Sequence, residues 1–396
     1  MYLYMQHVSL KLRFYPTHEQ EEMLTKVFGS ARYVYNWGLR YRTDKYAEGE
    51  KITYVQSSAA LTALKKEMPW LKESSSIPQQ QALRHLQTAF GNFFTKSARY
   101  PTFKKKNGKQ SAEYTKSGFI QKKGKIVIRR LGSIEIVWSK PMPKDISSIT
   151  ISKDKSGRYF VSVKYKEVKK KLPKTGKNVG IDLGINALAT FSDGTTIANP
   201  RYTSKYASKL ARAQRILSRR TNGSVRNNKA RLRVAKIYAK IADSRRDNLH
   251  KATTKIVRDF DTICIEDLSA RNMMSNHCLA KAIGDCSFFE FRRQLEYKSL
   301  WYGKIVVVID RWFPSSKRCH DCGFIMDSLP LDVREWVCSE CGVSHNRDEN
   351  AAKNILSVGL TDTARGGSVR PKATSVARGT SRRSENQPVQ SGISRL

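Results

Sequence analysis

The stretch NVGIDLGINALATFSDGTTIANP (178–200) determines the fold of the central part of this chain. Its short apolar runs are separated by Gly, Asn and Asp, a pattern that predicts three short strands joined by tight turns. Two further apolar runs, TICIEDL (262–268) and KIVVVIDRWF (304–313), predict additional strands. Asp182 lies in the first strand of the quoted stretch and Glu266 ends the run TICIE, so two of the predicted strands carry an acidic residue.

A third acidic residue follows in VCSECGVSHNRDENAAKNIL (337–356), where Asp348 lies at a predicted helix start that Asn346 can cap. Two adjacent strands and a facing helix would bring Asp182, Glu266 and Asp348 together, and their mutual repulsion then requires neutralisation. Mg²⁺ prefers oxygen ligands, and a pair of ions can stabilise both the attacking and the leaving oxygen of a phosphodiester displacement. We therefore predict that the three acids are catalytic and hold two Mg²⁺ ions.

The cysteines predict a second metal centre. Two Cys-x-x-Cys pairs are separated by fifteen residues, which matches the spacing of a tetrahedral zinc site. Each pair is followed directly by a glycine, Gly323 or Gly342, as a tight knuckle turn favours. Four thiolates fill the coordination sphere, so one structural zinc ion is expected. The predicted ligands are Cys319, Cys322, Cys338 and Cys341.

Several other residues with metal-binding or catalytic chemistry are given ordinary structural interpretations. His320 and His345 are interpreted as surface residues near the zinc site rather than ligands. The remaining thiols are expected in the core or at the surface, and two further acids are interpreted as turn or surface residues. These residues are Cys264, Cys278, Cys286, Asp193 and Asp267.

The charge of the chain points to a polyanionic partner. It has 73 Lys and Arg against 34 Asp and Glu, a formal net charge of +39, which favours nucleic acid over a membrane surface. Residues 201–258 alone carry eighteen basic residues and two acids. Candidate phosphate contacts are Arg212, Arg219 and Arg220 in this segment and Lys104, Lys105 and Lys106 in the basic loop 96–110. Neither a spanning helix nor a signal peptide is predicted. Seven cysteines, an odd number with paired spacing, suit a reducing cytosol and a metal rather than a disulfide framework. The protein is therefore expected in the cytoplasm, associated with the nucleoid when it is bound to DNA.

The predicted fold class is multidomain α+β. A small β-barrel or sandwich is expected from residues 1–15 and 109–170, with a helical domain, 16–108, inserted between them. A linker covers 171–177. An α/β domain is expected over 178–315 and 345–359, a zinc-binding module over 316–344, and a disordered tail over 360–396.

The order GIDLGI, IEDL, two CxxC pairs and NRDENAAKNI resembles the RuvC-like nuclease of the TnpB family, the transposon-encoded relatives of type V CRISPR effectors. The resemblance is strong over residues 178–356 and weaker in the part that precedes them. It implies an RNase H-like domain with a zinc ribbon before the last helix, following wedge and recognition domains. It also implies an RNA-guided DNA endonuclease that works as a monomer on one RNA. Such an enzyme uses a guide RNA from the transposon end, requires a short target-adjacent motif and cleaves double-stranded DNA.

Three alternatives remain open from the sequence. One is an RNA-guided DNA-binding repressor without cleavage, although all three acids are present. A second is a DNA transposase with the same type of sheet, although its usual acid order ends in Glu. The third is a zinc-ribbon DNA-binding protein without enzymatic activity, which would leave the acids at the predicted strand ends unexplained.

Overall fold

A computed structural model describes residues 5–122 and 124–364 of the chain. Its strands are β1 (Met5–Phe14), β2 (Gln110–Thr115), β3 (Phe119–Lys122), β4 (Lys125–Ile128), β5 (Gly132–Ile134), β6 (Ile146–Lys153), β7 (Tyr159–Val168), β8 (Asn178–Asp182), β9 (Ala187–Phe191), β10 (Thr196–Ala198), β11 (Thr262–Glu266), β12 (Ile305–Ile309), β13 (Glu335–Val337) and β14 (Ser344–Asn346). Its helices are α1 (His18–Ala47), α2 (Tyr54–Glu67), α3 (Ser76–Phe94), α4 (Tyr202–Lys205), α5 (Ala207–Ser218), α6 (Val225–Asp259), α7 (Ala270–Met273), α8 (His277–Cys286), α9 (Phe288–Tyr302) and α10 (Arg347–Ala364).

The first sheet joins the N-terminal strand to the strand-rich segment. Its order is β1-β7-β6-β2, and β1 pairs antiparallel with β7 along its whole length. A second sheet, β3-β4-β5, shares one hydrophobic core with the first. Helices α1, α2 and α3 are therefore inserted in sequence between two strands of one sheet, while the barrel and wedge designations stay predictions.

The inserted helices begin where the sequence provides N-caps. Thr17 and Gln20 form a capping box at α1, and Thr53 and Gln56 form another at α2. Each box satisfies backbone N–H groups that would otherwise lack partners in the first turn. The helices then pack around buried aliphatic side chains, including Leu83.

The central sheet has the order β10-β9-β8-β11-β12. The hairpin strands β8, β9 and β10 are antiparallel, whereas β11 runs parallel to both β8 and β12. One face packs against α6 and α9, and the other face packs against α10. Because side chains alternate between the faces of a strand, Gly180 and Asp182 share the face that α10 covers, as do Cys264 and Glu266.

Helix α10 approaches the backbone of β8 very closely. A Cβ atom on Gly180 would lie 2.0 Å from the carbonyl oxygen of Ala352 and 2.6 Å from the backbone nitrogen of Leu356. Those neighbours are helix backbone and cannot rotate away. Glycine at this position therefore allows α10 to lie against the sheet.

We expect Gly180→Ala to lower the melting temperature substantially, because the added methyl group must displace α10. Overpacking of this kind costs about 1–3 kcal/mol and occasionally more. Gly29→Ala in α1 is the matched control, since a Cβ there meets nothing within 4 Å and alanine favours a helix interior. Thermal unfolding of both variants checks the prediction, and an unchanged melting temperature for Gly180→Ala would contradict it.

The last helix ends later in the chain than the sequence predicted. Helix α10 continues through Ala364, into the segment 360–396 that was expected to be disordered. The reason is tertiary packing, because Gly359 is buried against Cys264 of β11, which supports the last helical turns on the sheet. Residues 365–396 lie outside the described part of the chain. Within that part, no helix combines the length and apolar character needed to cross a membrane.

Candidate active site and zinc centre

Two of the predicted catalytic acids lie side by side at one edge of the central sheet. Asp182 and Glu266 are the last residues of β8 and β11. The two strands are parallel and pair Ile181 with Ile265, so the next residue on each strand is an acid. Both acids are half-buried, while the strand residues preceding them are buried. The parallel pairing thus brings two carboxylates to the same strand ends on the same face.

The third acid approaches from the covering helix. Asp348 lies in the first turn of α10, and the side-chain oxygen of Asn346 accepts hydrogen bonds from the backbone N–H groups of Asp348 and Glu349, both at 3.2 Å. This confirms the predicted capping role of Asn346. Ala352, one turn later, contacts Gly180 two residues before Asp182. The helix that packs on β8 therefore presents its N-terminal turn to the strand end that carries Asp182.

Asp182 lies close enough to the other two acids for their charges to affect its pKa. Burial, together with the carboxylates of Glu266 and Asp348, raises the pKa of Asp182 to about 7, and the nearby Arg347 opposes this shift. Burial also raises the pKa of Glu266, against the effect of a hydrogen bond from Ser315. Negative charge at this edge of the sheet is therefore unfavourable in the metal-free protein. A divalent cation bound to the acids would relieve that cost.

The acids are not arranged as a single compact cage. Among the described residues, two groups of three or more potential ligands have all their ligand atoms within 4.8 Å, and the three acids do not form one of them. Asp348 instead makes an ion pair with Arg334, at 3.2 Å between a guanidinium nitrogen and a carboxylate oxygen. The donor set matches a magnesium site in chemistry, and the Arg334 guanidinium lies beside one of its carboxylates.

Arg334 and Arg347 are functional candidates that the sequence did not indicate. Arg334 immediately precedes β13, between the two cysteine pairs, and its side chain is 49% exposed. Arg347 is buried, donates to the carbonyl oxygen of Pro330, and thereby ties the start of α10 to the cysteine-rich module. In so basic a chain, no local pattern separates these two arginines from the others.

The four predicted zinc ligands converge as expected. The distance between the Cys319 and Cys341 sulfurs is 3.7 Å, and that between the Cys322 and Cys338 sulfurs is 3.6 Å. A tetrahedron with Zn–S bonds of about 2.3 Å has edges of about 3.8 Å. All four sulfurs lie within 4.8 Å of one another. The cluster therefore fits one tetrahedral zinc ion, and positive φ angles at Gly323 and Gly342 form the two knuckle turns.

The expectation that His345 is a surface residue was wrong. Its side chain is 8% exposed, its Nε2 atom lies 3.1 Å from the Cys319 sulfur, and its ring packs against Trp336. Strand β14 pairs with β13 and turns this side chain inward, a tertiary effect that residue spacing does not encode. His345 can thus donate a hydrogen bond to a zinc-bound thiolate. His320 is partly exposed, and its backbone N–H group donates to Asn350.

The remaining acids and thiols have structural roles. The Asp193 carboxylate accepts hydrogen bonds from the backbone and hydroxyl of Thr195 within the β9–β10 turn. The Asp267 carboxylate pairs with two arginines, Arg292 and Arg311. Two of the other thiols, Cys264 and Cys286, are buried, and Cys278 is exposed. These residues are as the sequence interpretation expected.

The candidate phosphate-contacting residues lie on the surface of the protein. Arg212, Arg219 and Arg220 are exposed, and within the described part of the chain none pairs with a carboxylate. Lys105 and Lys106 are exposed as well. Lys104 differs, because its ammonium lies 3.8 Å from the centre of the Tyr35 ring. Burial lowers the pKa of Lys104. The role of all six in binding nucleic acid stays a prediction.

Family models match most of the length of the chain. Residues 160–277 match a model described as "Probable transposase", and residues 288–355 match one described as "Cas12f1-like, TNB domain". Residues 5–51 match one described as "Helix-turn-helix domain", although here they form β1 followed by the single long helix α1. The second match covers the cysteine cluster and Asp348.

Individual proteins resemble the whole chain. A Streptomyces pristinaespiralis protein, provisionally described as an RNA-guided DNA endonuclease, is 47% identical over 98% of this chain and 98% of its own length. The Escherichia coli K12 protein InsQ, with the same provisional description, is 32% identical over 89% of this chain and 92% of its own. Among solved structures, Cas12f1 in a complex with sgRNA and target DNA aligns with a TM-score of 0.57 at 13% identity, over 89% of this chain and 99% of its own. That likeness shows a shared mixed α/β multidomain fold.

Proposed function

This chain belongs to the TnpB family, and from that premise we propose that it is an RNA-guided DNA endonuclease that cleaves double-stranded DNA. The observation that carries the proposal is the meeting of Asp182, Glu266 and Asp348 at one end of a five-stranded sheet. A guide-dependent binder would not need three interacting carboxylates whose charge is costly when no metal is bound. Their presence favours an enzyme over a repressor that has lost cleavage.

Magnesium is the proposed catalytic metal, and two ions fit the acids better than one. Asp182 interacts with both other carboxylates and would contribute to both ions, whereas Glu266 and Asp348 would each contribute to one. Ligands of separate ions do not need to approach one another, so this arrangement does not require the three acids to form one compact cage. Bound there, the ions would lower the pKa of a water ligand and stabilise charge on the leaving oxygen.

Two side chains next to the acids contact their carboxylates. The Ser315 hydroxyl donates to a carboxylate oxygen of Glu266 and fixes its orientation. Arg334 makes an ion pair with Asp348. When Asp348 binds a cation instead, the Arg334 guanidinium is free to contact a DNA phosphate, which its planar donors suit well. Arg334 is therefore proposed as a phosphate-binding residue of the active site.

The cysteine cluster is proposed to hold one structural zinc ion. Four thiolates leave no open position for a substrate or water. The module carries Arg334 and contacts Arg347 at the start of α10. Zinc would therefore act on catalysis only through the position of these side chains.

Nucleic acids are the proposed partners. Target selection by base pairing requires the protein to hold a guide RNA and its heteroduplex through backbone contacts, for which a net charge of +39 is suited. We assign wedge and recognition roles to the N-terminal sheets and the helices α1–α3. We further propose that the guide RNA comes from the transposon end and that cleavage requires a short target-adjacent motif. The protein is proposed to act in the cytoplasm, as a monomer on one RNA.

The proposed function is tested by sequencing the RNA that co-purifies with the protein expressed with its flanking DNA. We expect one discrete RNA with a structured body and a 3′ end beyond the element boundary. DNA matching that end should be cut in magnesium and not in EDTA. Heterogeneous host RNA that is released at moderate salt, with no guided cleavage, would overturn the proposal.

Magnesium binding should depend on pH. The folded pKa of Asp182, about 7, is raised above its usual value of 3.8, so this group makes the metal-free protein less stable as pH rises between those values. Because magnesium must displace the proton, its apparent affinity should be about tenfold lower at pH 6 than at pH 8. Melting curves over a magnesium titration at both pH values check this, and equal midpoints would contradict it.

A DNA transposase is the second candidate, favoured by the description of the family model matching residues 160–277. It would join strands rather than only cut them. Incubation of the purified protein with labelled transposon ends distinguishes the two, because joined products without any guide RNA would support the transposase.

A further inference from the structure

One aromatic side chain is exposed far more than its chemistry requires. Trp312 has 85% of its surface accessible, more than any other large apolar side chain in the described residues. It lies in the loop that follows β12, in the sequence DRWFPSS (310–316). None of the functions argued above uses it.

The loop carrying Trp312 is attached at both ends to the surroundings of Glu266. At its start, Ile309 is the strand partner of Glu266, and the Asp267 backbone N–H group donates to the Ile309 carbonyl at 3.2 Å. At its end, the Ser315 hydroxyl donates to the Glu266 carboxylate. Trp312 therefore projects from a short loop that begins and returns beside a catalytic acid.

The backbone on either side of Trp312 is held in place. Its own N–H group donates to a carboxylate oxygen of Asp310 at 2.8 Å. Phe313 packs into the cluster beneath α10, and Arg311 pairs with Asp267. The exposed indole thus belongs to a loop whose backbone and neighbouring side chains are anchored, and the ring faces solvent.

The surroundings favour a planar ligand over a protein partner. The loop neighbours of Trp312 in the sequence are mostly charged or polar, which is more typical of a nucleic-acid-binding loop than of the apolar core of a protein interface. A single exposed ring on a strongly basic protein suits an unpaired nucleobase, because every base offers a π-face. A strand bound at Glu266 would pass close to this loop, because the loop begins and returns beside that acid.

We propose that Trp312 stacks on an unpaired nucleobase of the DNA strand being cleaved and positions that strand at the acids. The inference rests on the proposed nuclease function and adds a specific binding residue to it. Trp312 contributes no proton and binds no metal. It fixes which phosphate of a flexible strand reaches Asp182, Glu266 and Asp348.

The test pairs Trp312→Ala with target DNA that carries one abasic position, scanned through the nucleotides around the cut. The protein is used as the full chain with its co-purified guide RNA. For the wild type, one position should stand out, where loss of the base slows cleavage roughly tenfold and spreads the cut sites. On intact DNA, Trp312→Ala should cleave more slowly than the wild type by the same factor. On DNA with the sensitive abasic position, Trp312→Ala should be no slower than it is on intact DNA.

Controls separate this inference from the proposed function and from misfolding. Phe289→Ala removes another exposed ring, 69% accessible on α9, and should keep both the rate and the abasic sensitivity of the wild type. Trp312→Phe should restore most of the rate. If the wild type cleaves no guided target, the proposed function fails. If the wild type cleaves but no abasic position slows it, only the stacking proposal is overturned. The same holds if the abasic position slows Trp312→Ala by a further factor, because the base and the indole then act independently.

Discussion

Asp182→Ala should reduce guided DNA cleavage by about a thousandfold or more, as loss of a central catalytic group typically does. Asp182 is the acid whose pKa responds to both of the others, so its removal disrupts the sites of both proposed ions. Binding of guide RNA and target should be retained, because Asp182 contributes negative charge to a protein that binds polyanions. Cleavage rates and filter-binding affinities of the same complex check the prediction.

Asp193→Ala is the matched control for this variant. Asp193 lies in the turn between β9 and β10 of the same hairpin, where it accepts hydrogen bonds from the backbone and hydroxyl of Thr195. It should leave cleavage unchanged. Melting curves check for misfolding. At pH 8 and without added metal, Asp182→Ala should melt higher than the wild type, because it removes a half-buried carboxylate whose charge is unfavourable there. Wild-type cleavage by Asp182→Ala would remove the basis of the catalytic assignment.

Cys338→Ser should abolish zinc binding, unfold the module between β12 and α10, and stop cleavage. The Cys338 side chain is buried and its sulfur lies 3.6 Å from that of Cys322. Structural zinc contributes about 10–16 kcal/mol to the folding of small zinc-finger peptides, far more than the few apolar contacts of this module can replace. Activity is lost with the fold because Arg334, which pairs with Asp348, belongs to the module.

The control for the zinc prediction is Cys278→Ser, which changes an exposed thiol outside the cluster. It should retain one zinc ion per chain and full activity. Metal analysis, melting curves and cleavage assays are carried out on both variants. If Cys338→Ser retained a full equivalent of zinc together with cleavage, the four-cysteine site would be wrong, and His345 would become the first candidate for a replacement ligand.

Residue spacing and periodicity were sufficient to locate the parts of the site. The paired spacing of the cysteines is a local property, because each knuckle holds two ligands within one turn. The strands carrying Asp182 and Glu266 were also recognisable locally, from apolar runs bounded by turn residues. Asn346 before Asp348 similarly indicated where the last helix begins, and the structure confirms that cap.

How those parts of the site contact one another depends on the packing of the whole fold. Three contacts could not be predicted from the residues next to them in the sequence. They are the close approach of α10 to Gly180, the ion pair between Arg334 and Asp348, and the burial of His345 against Cys319. The extension of α10 to Ala364 has the same origin, because the sheet rather than the helix sequence supports it.

The sequence by itself therefore determined which groups this protein uses: three carboxylates, four thiolates and a large excess of cations. Their chemistry is carried by residue type, and their local spacing is set by strands, turns and helix caps. Only the tertiary structure decided how these groups meet, including the ion pair between Arg334 and Asp348 and the exposed Trp312 in a loop that begins and ends beside Glu266. Such contacts depend on the relative positions of elements far apart in the chain, which are fixed by burial and steric fit over the whole fold rather than by any short pattern.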